Sequence, residues 1–128
     1  MKLSKPQLTA LIANFSYILD ISAFAIILPS IAGTVHATAD QALTLYSIYG
    51  ISLSAALLLG GKLTDHLQVR WLFIFGVSTY AIAASLITLA DTYYSVLTLR
   101  LIQGLGAAIF SPCIPLIISR TGEANSAE

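Results

Sequence analysis

Four apolar runs, at about 8–29, 42–60, 71–90 and 95–118, divide this chain of 128 residues and leave few folds open to it. A bilayer core about 30 Å thick is crossed by roughly 20 residues of helix, and each run has about that length. None alternates strictly between apolar and polar residues, and each is too long for an ordinary strand. A helix also satisfies its own backbone groups where no water is present to do so. Composition agrees: 57% of residues are hydrophobic and 9% charged, whereas about a quarter are charged in a soluble domain. The expectation is an all-α, polytopic membrane protein. Four transmembrane helices would form a single membrane domain over residues 1–128, with antiparallel neighbours joined by short links.

Orientation follows from lysine and arginine. Lys2 and Lys5 precede the first span, Lys62 and Arg70 lie between the second and third, and Arg120 follows the fourth. The links around 30–41 and 91–94 hold no Lys or Arg, only His36, Asp40 and Asp91. Both termini and the 61–70 loop are therefore expected on the cytoplasmic side of a cell membrane crossed several times. Trp71 falls at the inner interface, and Tyr93 and Tyr94 at the outer one. The formal net charge is zero and no basic block invites nucleic acid, so the bilayer itself is the first expected partner. The first span resembles a signal peptide in its two lysines and in Ala37-Thr38-Ala39, but its apolar run is too long and Asp20 interrupts it. The single cysteine, Cys113, builds neither a disulfide framework nor a zinc site and reads as a packing residue. His36 and His66 stand apart, and no nucleophile–base set or metal cluster is visible, so no enzyme and no metal cofactor are expected.

Two charges fall inside the spans, where they are costly. Asp20 lies near the middle of the first and must face a cavity or a partner. A carboxyl that titrates within a membrane is a natural proton carrier; the other reading is a structural Asp satisfied by neighbouring helices. Ala13, Ser16, Tyr17, Ala23, Phe24 and Ile27 share its face. Small residues leave room there, and the rings of Tyr17 and Phe24 offer faces to a lipophilic cation. Arg100, with Gln103 after it, lies about one turn inside the outer end of the fourth span. It either snorkels outward or turns inward toward Asp20. Asp20 lies roughly 13 Å, and Arg100 roughly 7 Å, below the outer ends of their helices, a gap that a long arginine spans. Farther along, Gly104, Gly106 and Ala108 provide small residues for close helix approach, and Pro112 and Pro115 should kink or loosen the inner half of that span.

Three stretches together resemble the major facilitator superfamily, and within it the fourteen-helix drug:proton antiporters. The first helix of that group carries L-D-x-T-I-V-N-V-A-L-P; here Leu19, Asp20, Leu28 and Pro29 match, Ser22 stands for Thr and Ala25 for Asn. The superfamily loop G-x-L-A-D-R-x-G-R-K is met by Gly61, Leu63, Asp65 and Arg70, with His66, Gln68 and Val69 departing from it. The fourth-helix motif R-x-x-Q-G-x-G-A-A is met by Arg100, Gln103, Gly104, Gly106, Ala107 and Ala108. Tyr49 falls where the group has a tyrosine in its second helix.

The resemblance implies proton-driven export of small, often lipophilic or cationic compounds, with the proton as coupling ion. By it, Asp20 and Arg100 belong to proton coupling, with Gln103 nearby; together with the face read around Asp20, this makes Tyr17, Phe24, Tyr49 and Gln103 the candidates to line the substrate path. Gly61, Asp65 and Arg70 belong to a cytoplasmic gate. Such transporters have twelve or fourteen helices in two halves with the site between them. Four helices are fewer than one half. The chain is thus expected to be a fragment that does not transport alone and packs against a missing C-terminal half or another membrane protein. A homodimeric four-helix exporter, resembling the small multidrug resistance family in size, and a non-transporting partner of a larger membrane protein are the rival readings.

Overall fold

The computed structural model describes residues 3–126, with side chains through Ala124; Lys2, one of the orientation-setting lysines, lies outside the described residues. Among the described residues five helices follow one another: α1 (Lys5–Thr34), α2 (Ala39–His66), α3 (Val69–Ile87), α4 (Tyr93–Phe110) and α5 (Cys113–Ser126). No strand occurs among the described residues. Four units are long and apolar enough to cross a membrane, because α4 and α5 together make one of them, Tyr93–Ala124. The break between α4 and α5 falls at Ser111 and Pro112, where the ring of Pro112 removes a backbone donor and crowds the preceding turn. α1, by contrast, passes through Pro29 without ending.

The helices outrun the apolar runs that announce them because their caps are polar and lie beyond the bilayer-length core. The Ser4 backbone N–H donates to Gln7 Oε1 at 3.0 Å to open α1. Thr38 opens α2 as one half of a reciprocal box: its N–H donates to Gln41 Oε1 at 2.9 Å, and its hydroxyl accepts from the Gln41 N–H at 3.3 Å. Thr92 accepts from the Ser95 N–H at 3.3 Å at the head of α4. The inner loop expected over 61–70 is much shorter than that. α2 stays helical through His66, and only Leu67 and Gln68 separate it from α3. The link between α1 and α2 turns at His36, whose φ of 52° is left-handed.

α4 is the centre of the bundle and α1 its loosest member. In their most apolar stretches, 44% of the α4–α5 span is buried within the chain but only 6% of α1. Glycines set how closely the others approach α4. A methyl added to Gly60 would collide with the Ala108 carbonyl, and one added to Gly104 with the Ser52 hydroxyl, and it would lie 2.7 Å from the Tyr49 carbonyl. On the opposite side, a methyl on Gly106 would lie 2.9 Å from the Tyr80 N, and one on Gly76 2.7 Å from the Phe110 N. Without a hydrophobic force between helices in lipid, such backbone proximity is a main source of association. Phe110 closes the middle of the bundle, meeting Tyr17, Tyr80 and Phe73 edge-on with ring centroids 5.9, 5.6 and 6.3 Å away. Near the start of α1, Gln7 Nε2 donates to the Ile118 carbonyl at 3.4 Å, tying α1 to α5.

Candidate functional site

Residue 20 falls halfway along α1, deep in the span, and two other helices converge on its carboxyl. Tyr80 of α3 donates its hydroxyl to Asp20 Oδ2 at 2.7 Å. Gln103 of α4 donates through Nε2 to the same oxygen at 2.9 Å. Arg100 Nη1 stands 3.7 Å from that oxygen, an ion pair too long to be a hydrogen bond. The arginine reaches the acid through the glutamine instead, donating from Nη1 to Gln103 Oε1 at 2.7 Å. Oδ1 has no hydrogen-bond partner among the described residues, and the Asp20 side chain keeps 31% of its surface exposed, against 1% for Arg100.

This orientation of Gln103 is dictated by chemistry. A guanidinium has only donors, so the glutamine atom facing Arg100 is its oxygen, and its amine is left to face Asp20. The one-turn separation of Arg100 and Gln103 on α4 puts them on one helix face, and Gly104 beside them lets α2 close over the pair.

Arg100 therefore does not snorkel. Its guanidinium carbon lies 3.5 Å from the centroid of Phe24 (α1) and 4.6 Å from that of Tyr49 (α2), so the cation sits between π faces as well as beside its acid. Phe24 is thus turned toward the chain's own cation. Tyr17 packs edge-on against Tyr80, with centroids 6.2 Å apart, and against Phe110. The Tyr49 hydroxyl and Arg100 Nε are buried with no hydrogen-bond partner among the described residues.

Asp20, Arg100, Gln103, Phe24 and Tyr49 are thus brought together, with Tyr17 at the border. Gly104, Gly106 and Ala108 lie against neighbouring backbones as small residues should, all of them buried. The residues expected to form a gate are elsewhere, at the junction of α2 and α3. Gly61 has nothing within 4 Å of where a Cβ would stand. Asp65 and Arg70 are exposed and have no ion pair among the described residues. No group of three or more His, Cys, Asp or Glu able to hold a metal occurs among the described residues.

Tyr80 is the residue that sequence reasoning missed. Its signal was present: a tyrosine in the middle of an apolar helix buries a hydroxyl that needs a partner, and Asp20 was the obvious acceptor at that depth.

The family model of the Major Facilitator Superfamily matches residues 10–125. The chain belongs to the major facilitator superfamily. Members of this superfamily are transporters rather than enzymes, and the chain is an integral membrane protein. Among similar proteins, the tetracenomycin C resistance and export protein of Streptomyces glaucescens is 30% identical over 73% of this chain and 18% of its own length. The methylenomycin A resistance protein of Streptomyces coelicolor is 26% identical over 83% of the chain and 22% of its own length. The multidrug resistance protein MdtL of Escherichia coli is 33% identical over 76% of the chain and 26% of its own length. The match thus spans about a quarter or less of these relatives' length. No solved structure matches the chain.

Proposed function

We propose that this chain supplies the first four helices of a proton-coupled exporter of small lipophilic or cationic compounds in the cell membrane, with both termini cytoplasmic. The observation that carries the reading is the Asp20 carboxyl: intramembrane, part-exposed, and held on one oxygen by Tyr80 and Gln103 with Arg100 behind them. An acid so placed accepts a proton from the open side and is steadied by donors on the closed side. Relatives named for export and for antibiotic or multidrug resistance support the substrate class. Because the chain matches so small a share of them, the substrate path is proposed to be completed by further helices, in the same polypeptide or in a second one.

The test has two arms. In the first, residues 10–125 replace the matched segment of the E. coli relative. The chimera is expected to lower drug accumulation in cells, and Asp20→Asn in it to abolish the effect. Export that is unchanged by Asp20→Asn overturns the role given to the acid. In the second arm, the 128-residue chain alone is reconstituted in vesicles under a pH gradient. No efflux is expected; efflux by the chain alone overturns the need for further helices and supports the homodimeric exporter.

A further inference from the structure

Tyr80 and Gln103 crowd one oxygen of Asp20 and leave the other bare, and this asymmetry has a chemical consequence. We propose that Tyr80 is a positioning residue for proton exchange at Asp20: together with Gln103 it holds Oδ2 as the accepting oxygen, so that the proton enters and leaves on Oδ1. The inference rests on the proton-carrier reading above and deepens it.

The two donors to Oδ2 differ in whether they can reverse. Protonation of Oδ2 would put an acid O–H where two hydrogens already point. Tyr80 can turn its hydroxyl around and accept, since a phenol does both. Gln103 cannot. Its Nε2 only donates, and flipping the amide would set the amine against Arg100, which also only donates. A proton on Oδ2 therefore reverses Tyr80 and leaves Gln103 donating to the poorly accepting hydroxyl oxygen of an acid, so that at least one of the two part-buried hydrogen bonds is weakened or broken.

Protonation of Oδ1 breaks none. One O–H bond forms there, the carbon–Oδ2 bond becomes the carbonyl, and Oδ2 goes on accepting from Tyr80 and Gln103 without any movement of α3 or α4. Arg100 keeps its own proton and its place between Phe24 and Tyr49. The ionisable groups around the acid are Tyr17 on its own helix, Tyr80 on α3, Arg100 on α4 and Tyr49 of α2 across the guanidinium, and none of these hydrogen-bonds to Oδ1. The clamp thus serves both charge states, and the exchanging oxygen is the one that accepts from none of the described residues.

Infrared difference spectra of the 128-residue chain in lipid nanodiscs, taken between acid and alkaline buffer, test this directly. The carbonyl band of a protonated carboxyl falls in wavenumber as its C=O accepts hydrogen bonds. The Asp20 band, assigned by its loss in Asp20→Asn, is expected low in the protein as it stands and higher in Tyr80→Phe, which keeps the ring and removes only the hydroxyl. Gln103→Met, which removes the second donor and leaves Tyr80 in place, is expected to move the band the same way. Helicity and thermal melting of both variants are followed alongside, because a merely structural role would change those and not the band. A band that stays put in folded Tyr80→Phe and Gln103→Met overturns the assignment of the two oxygens and leaves the proton-carrier reading standing. Absence of any band lost in Asp20→Asn overturns both.

Discussion

Asp20 and Asp65 are carboxylates from two stretches that resemble the same superfamily, and they stand in opposite conditions. Asp20 is surrounded by α1, α3 and α4, with two hydrogen bonds and an arginine on one oxygen. Asp65 lies on the last turns of α2, exposed, with no ion pair among the described residues, as does Arg70 at the head of α3. The difference is one of solvent. In hydrocarbon, an unpaired polar group is costly and the chain must provide its partner. At the water end the solvent does this, and nothing obliges the four helices to satisfy Asp65 and Arg70 themselves. What the contrast teaches is that a motif inside the membrane can be judged within these helices, whereas a motif at its edge depends on what lies opposite.

The largest expected effect separates the two regions outright. Arg100→Met removes the cation behind the acid and leaves Gln103 Oε1 without its donor. Removing one partner of a buried pair costs several kcal/mol, and because Asp20 keeps part of its surface the loss should sit at the low end, roughly 3 kcal/mol. Arg70→Met, which also keeps the aliphatic stem, should stay within about 0.5 kcal/mol. Reversible unfolding in mixed micelles reads both. Similar losses at the two positions would dissolve the distinction drawn between them.

The next effect is steric. Ala at Gly60 must displace the Ala108 carbonyl, a backbone atom that cannot rotate away as a side chain would. Overpacking of this kind costs about 1–3 kcal/mol. The same unfolding assay should place Gly60→Ala in that range, and a crosslink between α2 and α4 near these positions should form more slowly. A neutral Gly60→Ala would mean that the two helices do not approach as closely as described.

How far such details could be read beforehand depends on what each rests on. The four spans were legible because hydrocarbon thickness acts on composition and length, both written in the chain. Their ends were less so: Ser4, Thr38 and Thr92 start helices a few residues before the apolar runs, and the supposed loop at 61–66 is helix. Asp20 and Arg100 announced themselves as charges at a costly depth, and the inward turn of the arginine was one of two readings that residue spacing left open. What decided it, the rings of Phe24 and Tyr49 on either side of the guanidinium, depends on how α1, α2 and α4 rotate against one another. No single-helix periodicity contains that information. Tyr80 was hidden for the same reason, since its partner is 60 residues away in the chain.

The smallest effect is the most discriminating. Gly61 adjoins Gly60 and belongs to the motif shared with the superfamily, yet a methyl there meets nothing within 4 Å. It lies inside α2, its carbonyl accepting from the Thr64 hydroxyl at 2.6 Å. Glycine in a helix interior is up to about 1 kcal/mol worse than alanine, so Gly61→Ala should slightly stabilise the chain, opposite in sign to its neighbour. If the glycine is kept for the approach of an element outside these four helices, the same substitution in the chimera with the E. coli relative should lower export while leaving the amount of protein in the membrane unchanged. Loss of stability in the chain itself would instead mean that Gly61 packs within the four helices, and the gate stretch would then resemble the Asp20 cluster in finding its partner there.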